Sequence, residues 1–64
     1  MPNQPYRVDE MSPREIRIHN LAQLWINTYE DEGAKEAILF YQRRVEHHVD
    51  RDLIVDRMAE LNGH

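Results

Sequence analysis

Residues 12–33, SPREIRIHNLAQLWINTYEDEG, decide the fold. Ser12 can cap the open amides of a first helical turn, and Pro13 at the first helical position gives up no useful hydrogen bond. Glu15 stands three residues after the cap, where a capping box places its carboxylate and where negative charge suits the helix dipole. A helix therefore starts here. Ile18, Leu21, Ala22, Trp25 and Tyr29 recur at three- and four-residue spacing and form one apolar stripe. Glu30, Asp31 and Glu32 oppose the dipole at a C-terminus, and Gly33 supplies a closing residue. The spacing predicts a first helix over about 13–31.

On the far side of Gly33, a second stripe comprises Ala34, Ala37, Ile38, Tyr41, Val45, His48 and Val49, which predicts a helix over about 34–49. With so short a link, the two helices fold back as an antiparallel hairpin with stripes facing. Trp25 and Tyr41 are expected to make the bulkiest contacts. Beyond Val49 the phase changes. A straight extension would carry Asp52 and Asp56 onto the buried face, while Ile54, Val55, Met58 and Leu61 turn elsewhere. Asp50 is a candidate new N-cap, with Val49 and Ile54 at the spacing of a hydrophobic staple. The expectation is a kinked extension or a third short helix over about 51–61, closed by Asn62-Gly63.

On the N-terminal side, Pro2 and Pro5 disfavour helix, so residues 1–11 read as a flexible arm in which Tyr6 and Val8 could make a strand-like contact. Residues 12–64 read as a single helical domain. The fold class is thus all-α, a helical hairpin with a kinked or third C-terminal helix, associating as a helix-bundle dimer. That last element follows from size: a chain of 64 residues without cysteine has a small core and no disulfide to support it. In architecture such a hairpin resembles the helical-hairpin dimers of plasmid, phage and bacterial regulators, which carries no site residue over. A phage or mobile-element origin would suit the small size.

Charge narrows the function classes. The chain has 8 basic and 12 acidic residues, a formal −4 with histidines neutral. Residues 1–32 contribute −3 (three basic, six acidic) and residues 33–64 contribute −1 (five basic, six acidic). Neither half has the positive field of a typical nucleic-acid binder. Arg43, Arg44, Arg51 and Arg57 make a small nucleic-acid-binding regulator the alternative reading. No apolar run approaches the roughly 20 residues needed to span a bilayer, and the N-terminus lacks the features of a signal peptide. The expected location is cytoplasmic, with no membrane partner.

No catalytic residues are expected. There is no Gly-rich phosphate loop and no cysteine nucleophile, and the single serine is wanted as a cap. His48, Asp52 and Asp56 share a helical spacing that invites a metal, but such a set makes no recognisable ligand motif, so no metal or cofactor is expected. His19, His47 and His48 could instead charge between about pH 5 and 8 as a switch. The strongest functional pattern is Phe40, Arg43, Arg44, His47 and Arg51, extended by Ile54 and Met58. Arginine beside aromatic and aliphatic side chains is interface composition. Ile16, Leu24 and Ile26 lie off the first helix's stripe and add apolar surface. The resulting expectation is a non-enzymatic interaction module, a regulator, inhibitor or adaptor, that binds a larger protein, itself, or both.

Overall fold

The computed structural model describes residues 11–63, which form three α-helices and no strand: α1, Pro13–Glu32; α2, Ala34–Arg44; and α3, Arg51–Asn62. The described residues are all-helical in their regular structure, as their periodicity predicts. The arm expected over residues 1–11, including Tyr6 and Val8, lies outside the described residues apart from Met11. No helix among the described residues is long and apolar enough to cross a membrane.

Both arms of the capping box form at the start of α1. The Glu15 amide donates to Ser12 Oγ at 3.2 Å, and the Ser12 amide donates to Glu15 Oε1 at 3.2 Å. At the other end Gly33 serves two helices. Its N–H donates to the Tyr29 carbonyl at 3.0 Å, closing α1, and its carbonyl accepts from the Ala37 amide at 3.1 Å, opening α2. Its φ of +95° with ψ of 176° lies in a region open essentially to glycine alone. One residue thus ends α1 and begins α2.

α2 is shorter than its stripe predicts and ends at Arg44, five residues before the expected Val49. The Tyr41 carbonyl accepts from both the Val45 and the Glu46 amides, at 2.9 and 2.8 Å, and this widened turn terminates the helix. Residues 45–50 then form a looped connection held by His48 N–H to the Val45 carbonyl and Arg51 N–H to the His48 carbonyl. The reason is packing. Val45 and Ile54 are both completely buried, and a straight helix would have pointed them to different sides. Val49 is 92% exposed, so the expected staple with Ile54 does not form. α3 ends with the Gly63 amide donating to the Ala59 carbonyl, without a left-handed glycine.

Ile18 and Ala22 of α1, Val45 of the connection and Ile54 and Met58 of α3 form the main core cluster. Leu21, Trp25, Phe40, Tyr41 and Leu61 pack around it, each only partly buried. Helix α1 is the common partner, packed against both α2 and α3. The Cα atoms extend over 36 × 25 × 14 Å, a flattened shape.

Several stripe assignments change in three dimensions. Ile26, read as surplus apolar surface, is buried, while Tyr29 and Ile38, read as inward, are exposed. The buried line of α1 is Ile18, Ala22 and Ile26, spaced four apart, and of these Ile18 and Ala22 join Ile54 and Met58 of α3 in the core cluster.

Candidate functional site

The connection between α2 and α3 is tied to the start of α1 by one ion pair. Asp50 occupies the N-cap position of α3, but its side chain makes no capping bond. Instead Oδ1 accepts from Arg14 Nε at 3.0 Å and from Nη2. The Asp50 side chain is only 8% exposed. The bond from the Arg14 guanidinium holds the Asp50 carboxyl below its ordinary range, against the opposing effect of burial, and Asp50 in turn raises Arg14. The Asp50 amide donates to His48 Nδ1 at 2.9 Å, so His48 presents an unprotonated nitrogen there. Farther along the α1–α3 contact, Arg57 Nη1 lies 3.2 Å from His19 Nδ1, which must act as the acceptor because a guanidinium only donates. Burial first, and the Arg57 charge second, lower the His19 pKa.

On the seam between α1 and α2, clear of every α3 residue, runs an open groove in two adjoining depressions. One, about 350 Å³, is lined by Arg17, Asn20, Leu21 and Leu24 of α1, with Arg44 and His48. The other, about 240 Å³, is lined by Thr28 and Glu32 of α1 and by Glu36, Leu39, Phe40, Arg43 and Arg44. Arg44 belongs to both. Along this seam later α2 positions meet earlier α1 positions, so Glu32 and Glu36 share one depression with Arg43 and Arg44, while Arg17 and Arg44 line the other. Leu24, in the first depression, is 45% exposed, and Phe40, in the second, is half-buried. The Arg44 guanidinium carbon sits 5.7 Å from the Phe40 ring centroid, within cation–π range.

Of the residues expected to form the partner face, Phe40, Arg43 and Arg44 do come together, in this groove. His47 and Arg51 lie beyond α2, beside Glu46, His48, Val49 and Asp52 in a separate polar depression. His47 faces Glu46 at 3.3 Å and Arg51 reaches Asp52 at 3.4 Å, both at the surface. Ile54 and Met58 are core residues and cannot contact a partner, a correction that follows from the break before α3, which turns that face onto α1. The alternative nucleic-acid set is divided as well. Arg57 is 15% exposed and directed at His19 and Glu60, away from any phosphate-tracking surface shared with Arg43 and Arg44. Among the described residues no three His, Asp or Glu side chains gather as a metal site.

The α1 side of the groove escaped the sequence reading apart from Leu24. Its signal was present: Arg17, Asn20, Leu21, Leu24, Thr28 and Glu32 follow helical spacing on a face next to the core line. The Arg14–Asp50 pair, 36 residues apart, has no such signal. No family model, no curated protein and no solved structure matches the chain.

Proposed function

We propose that the protein is a non-enzymatic interaction module whose antiparallel α1–α2 hairpin receives a protein partner along its outer groove. The observation that carries this reading is the groove's composition: Leu21, Leu24, Leu39 and Phe40 along it with Leu24 exposed, the Arg44 guanidinium over the Phe40 ring, and Arg17, Arg43, Glu32 and Glu36 beside them. Aromatic and arginine side chains set together in a partly desolvated groove are typical anchors for a helix laid along it. The small core supports the same reading. Phe40, which packs against it, is only partly buried where it lines the groove, so a partner has apolar area left to cover.

The test is site-specific crosslinking in cells. A photoreactive residue at Leu24 should form protein adducts on irradiation, whereas one at Asp56, exposed on α3 away from the groove, should form none. Introducing Leu24→Glu should suppress adducts from a probe at Arg43 while changing stability by no more than about 0.5 kcal/mol, as is usual for an exposed helical position. Equal adducts from Leu24 and Asp56 would remove the assignment.

A further inference from the structure

We propose that the connection between α2 and α3 carries a histidine latch, which opens when His48 gains a proton. The latch belongs to this chain alone and stands whether or not the α1–α2 groove takes a partner.

His48 ties the connection by its amide, its carbonyl and its ring. The amide donates to the Val45 carbonyl at 2.9 Å, the carbonyl accepts from the Arg51 amide at 3.1 Å, and Nδ1 accepts from the Asp50 amide at 2.9 Å. Val49, between the partners of that last bond, is exposed and adds no packing. The ring bond therefore helps to aim the Asp50 residue, whose carboxylate reaches Arg14 Nε at 3.0 Å. Of the three bonds, only this one responds directly to a proton. A neutral imidazole has one nitrogen lone pair, and here that lone pair faces the amide, which leaves the ring proton on Nε2. A protonated ring donates at both nitrogens, so the Asp50 amide would meet a second N–H. Imidazole is the side chain whose ordinary charge change falls between about pH 5 and 8.

The groups around His48 decide where a charged ring turns. Arg17 of α1 and Arg44 of α2 line one depression with it, and there a further cation is repelled. Glu46, His47, Arg51 and Asp52 line the other, and Asp50 with its partner Arg14 completes the set. The acceptors within this set are the carboxylates of Glu46, Asp50 and Asp52. A ring that donates to any of them leaves the Asp50 amide without Nδ1. The opening stays local, because the buried Val45 and Ile54 on either side of the latch do not titrate.

NMR of the full chain, labelled with nitrogen-15 and titrated from pH 8 to 5, tests the latch. At pH 8 a coupling across the hydrogen bond should join the Asp50 amide to His48 Nδ1, and it should vanish as the His48 ring titrates. Over the same range the protection of the Asp50 amide from hydrogen exchange, corrected for the intrinsic effect of pH, should fall roughly tenfold, the scale of one lost hydrogen bond. The Gly33 amide, bonded to the Tyr29 carbonyl, should keep its protection. Following the ring resonances of His48 itself separates it from His19 at the α1–α3 contact, and the Asp50 carboxyl, held low by Arg14, titrates below this window. His48→Asn offers a carbonyl acceptor that does not titrate, so its Asp50 amide should lose the pH dependence, while His47→Asn should behave as wild type. An Asp50 amide that keeps its protection while the His48 ring gains its proton overturns the latch. So does a ring that gains none above pH 5, or a pH dependence that persists in His48→Asn. If His48→Asn leaves the Asp50 amide unprotected at every pH, the wild-type titration decides alone.

Discussion

Asp50 shows how one side chain can serve a contact that its local sequence does not announce. Just before a helix, an aspartate ordinarily caps the open amides, yet here its carboxylate turns to Arg14 at the start of α1. Its pKa is held down in the folded state by that bond, so the stabilisation is present above the ordinary carboxylate range, near pH 4, and is lost as pH falls through the lowered value. Asp50→Asn should therefore melt at a lower temperature than wild type at neutral pH. Thermal melts at descending pH should show this gap closing below about pH 4. A gap unchanged by acid would mean that the Arg14 pair does not contribute. Gly33 is the second decisive residue. No atom lies within 4 Å of where its Cβ would stand, so Gly33→Ala tests backbone conformation alone. The expected cost is about 1–3 kcal/mol in denaturant unfolding.

Among the elements, the break between α2 and α3 has the largest consequence. Ending α2 at Arg44 lets Val45 enter the core, and restarting at Arg51 turns Ile54 and Met58 onto α1. Ile54→Ala should destabilise the chain by about 2–5 kcal/mol, the cost of emptying a fully buried aliphatic site. Val49→Ser, a few residues away in the exposed connection, should change stability by less than about 0.5 kcal/mol. Chemical denaturation of both variants checks the pair, and a similar loss in each would contradict the packing described here. Phe40 falls between these cases. It packs against the core and lines the groove, so its removal would lower stability and remove part of the surface together. Leu24, which is exposed, separates the two effects better. Trp25 is likewise only partly buried, and its truncation should cost less than the 3–5 kcal/mol typical of a fully buried tryptophan.

For the whole molecule, the question is how a short chain without disulfides remains folded. Among the described residues the completely buried large side chains are Ile54 and Val45. If a protein partner covers the α1–α2 groove, folding and binding are linked, and the melting temperature should rise when the partner captured at Leu24 is added. Added salt should lessen that rise, because the charged residues along the groove are open to screening. Calorimetry or fluorescence melts of the wild-type chain with that partner, compared with Leu24→Glu, provide the measurement. A melting temperature unmoved by the partner in both would separate stability from association.

By itself the sequence determined those features whose causes are local. The capping box at Ser12–Glu15, the apolar periodicity of α1, the helix boundary at Gly33 and a change of phase near Asp50 all depend on residues within a few positions of one another. It also marked Phe40, Arg43 and Arg44 as a cluster, because one helical turn brings them together. Only the tertiary structure decided what each face covers. Packing α3 on α1 buried Ile54 and Met58, which periodicity alone left on the surface; Ile26, read as surplus, is buried too, and Ile38, read as inward, is exposed. The same packing drew Asp50 to Arg14 and left the α1–α2 seam open. Helical spacing says which side chains share a face, but burial depends on where the third helix lands, and that is settled by contacts between residues far apart in the chain.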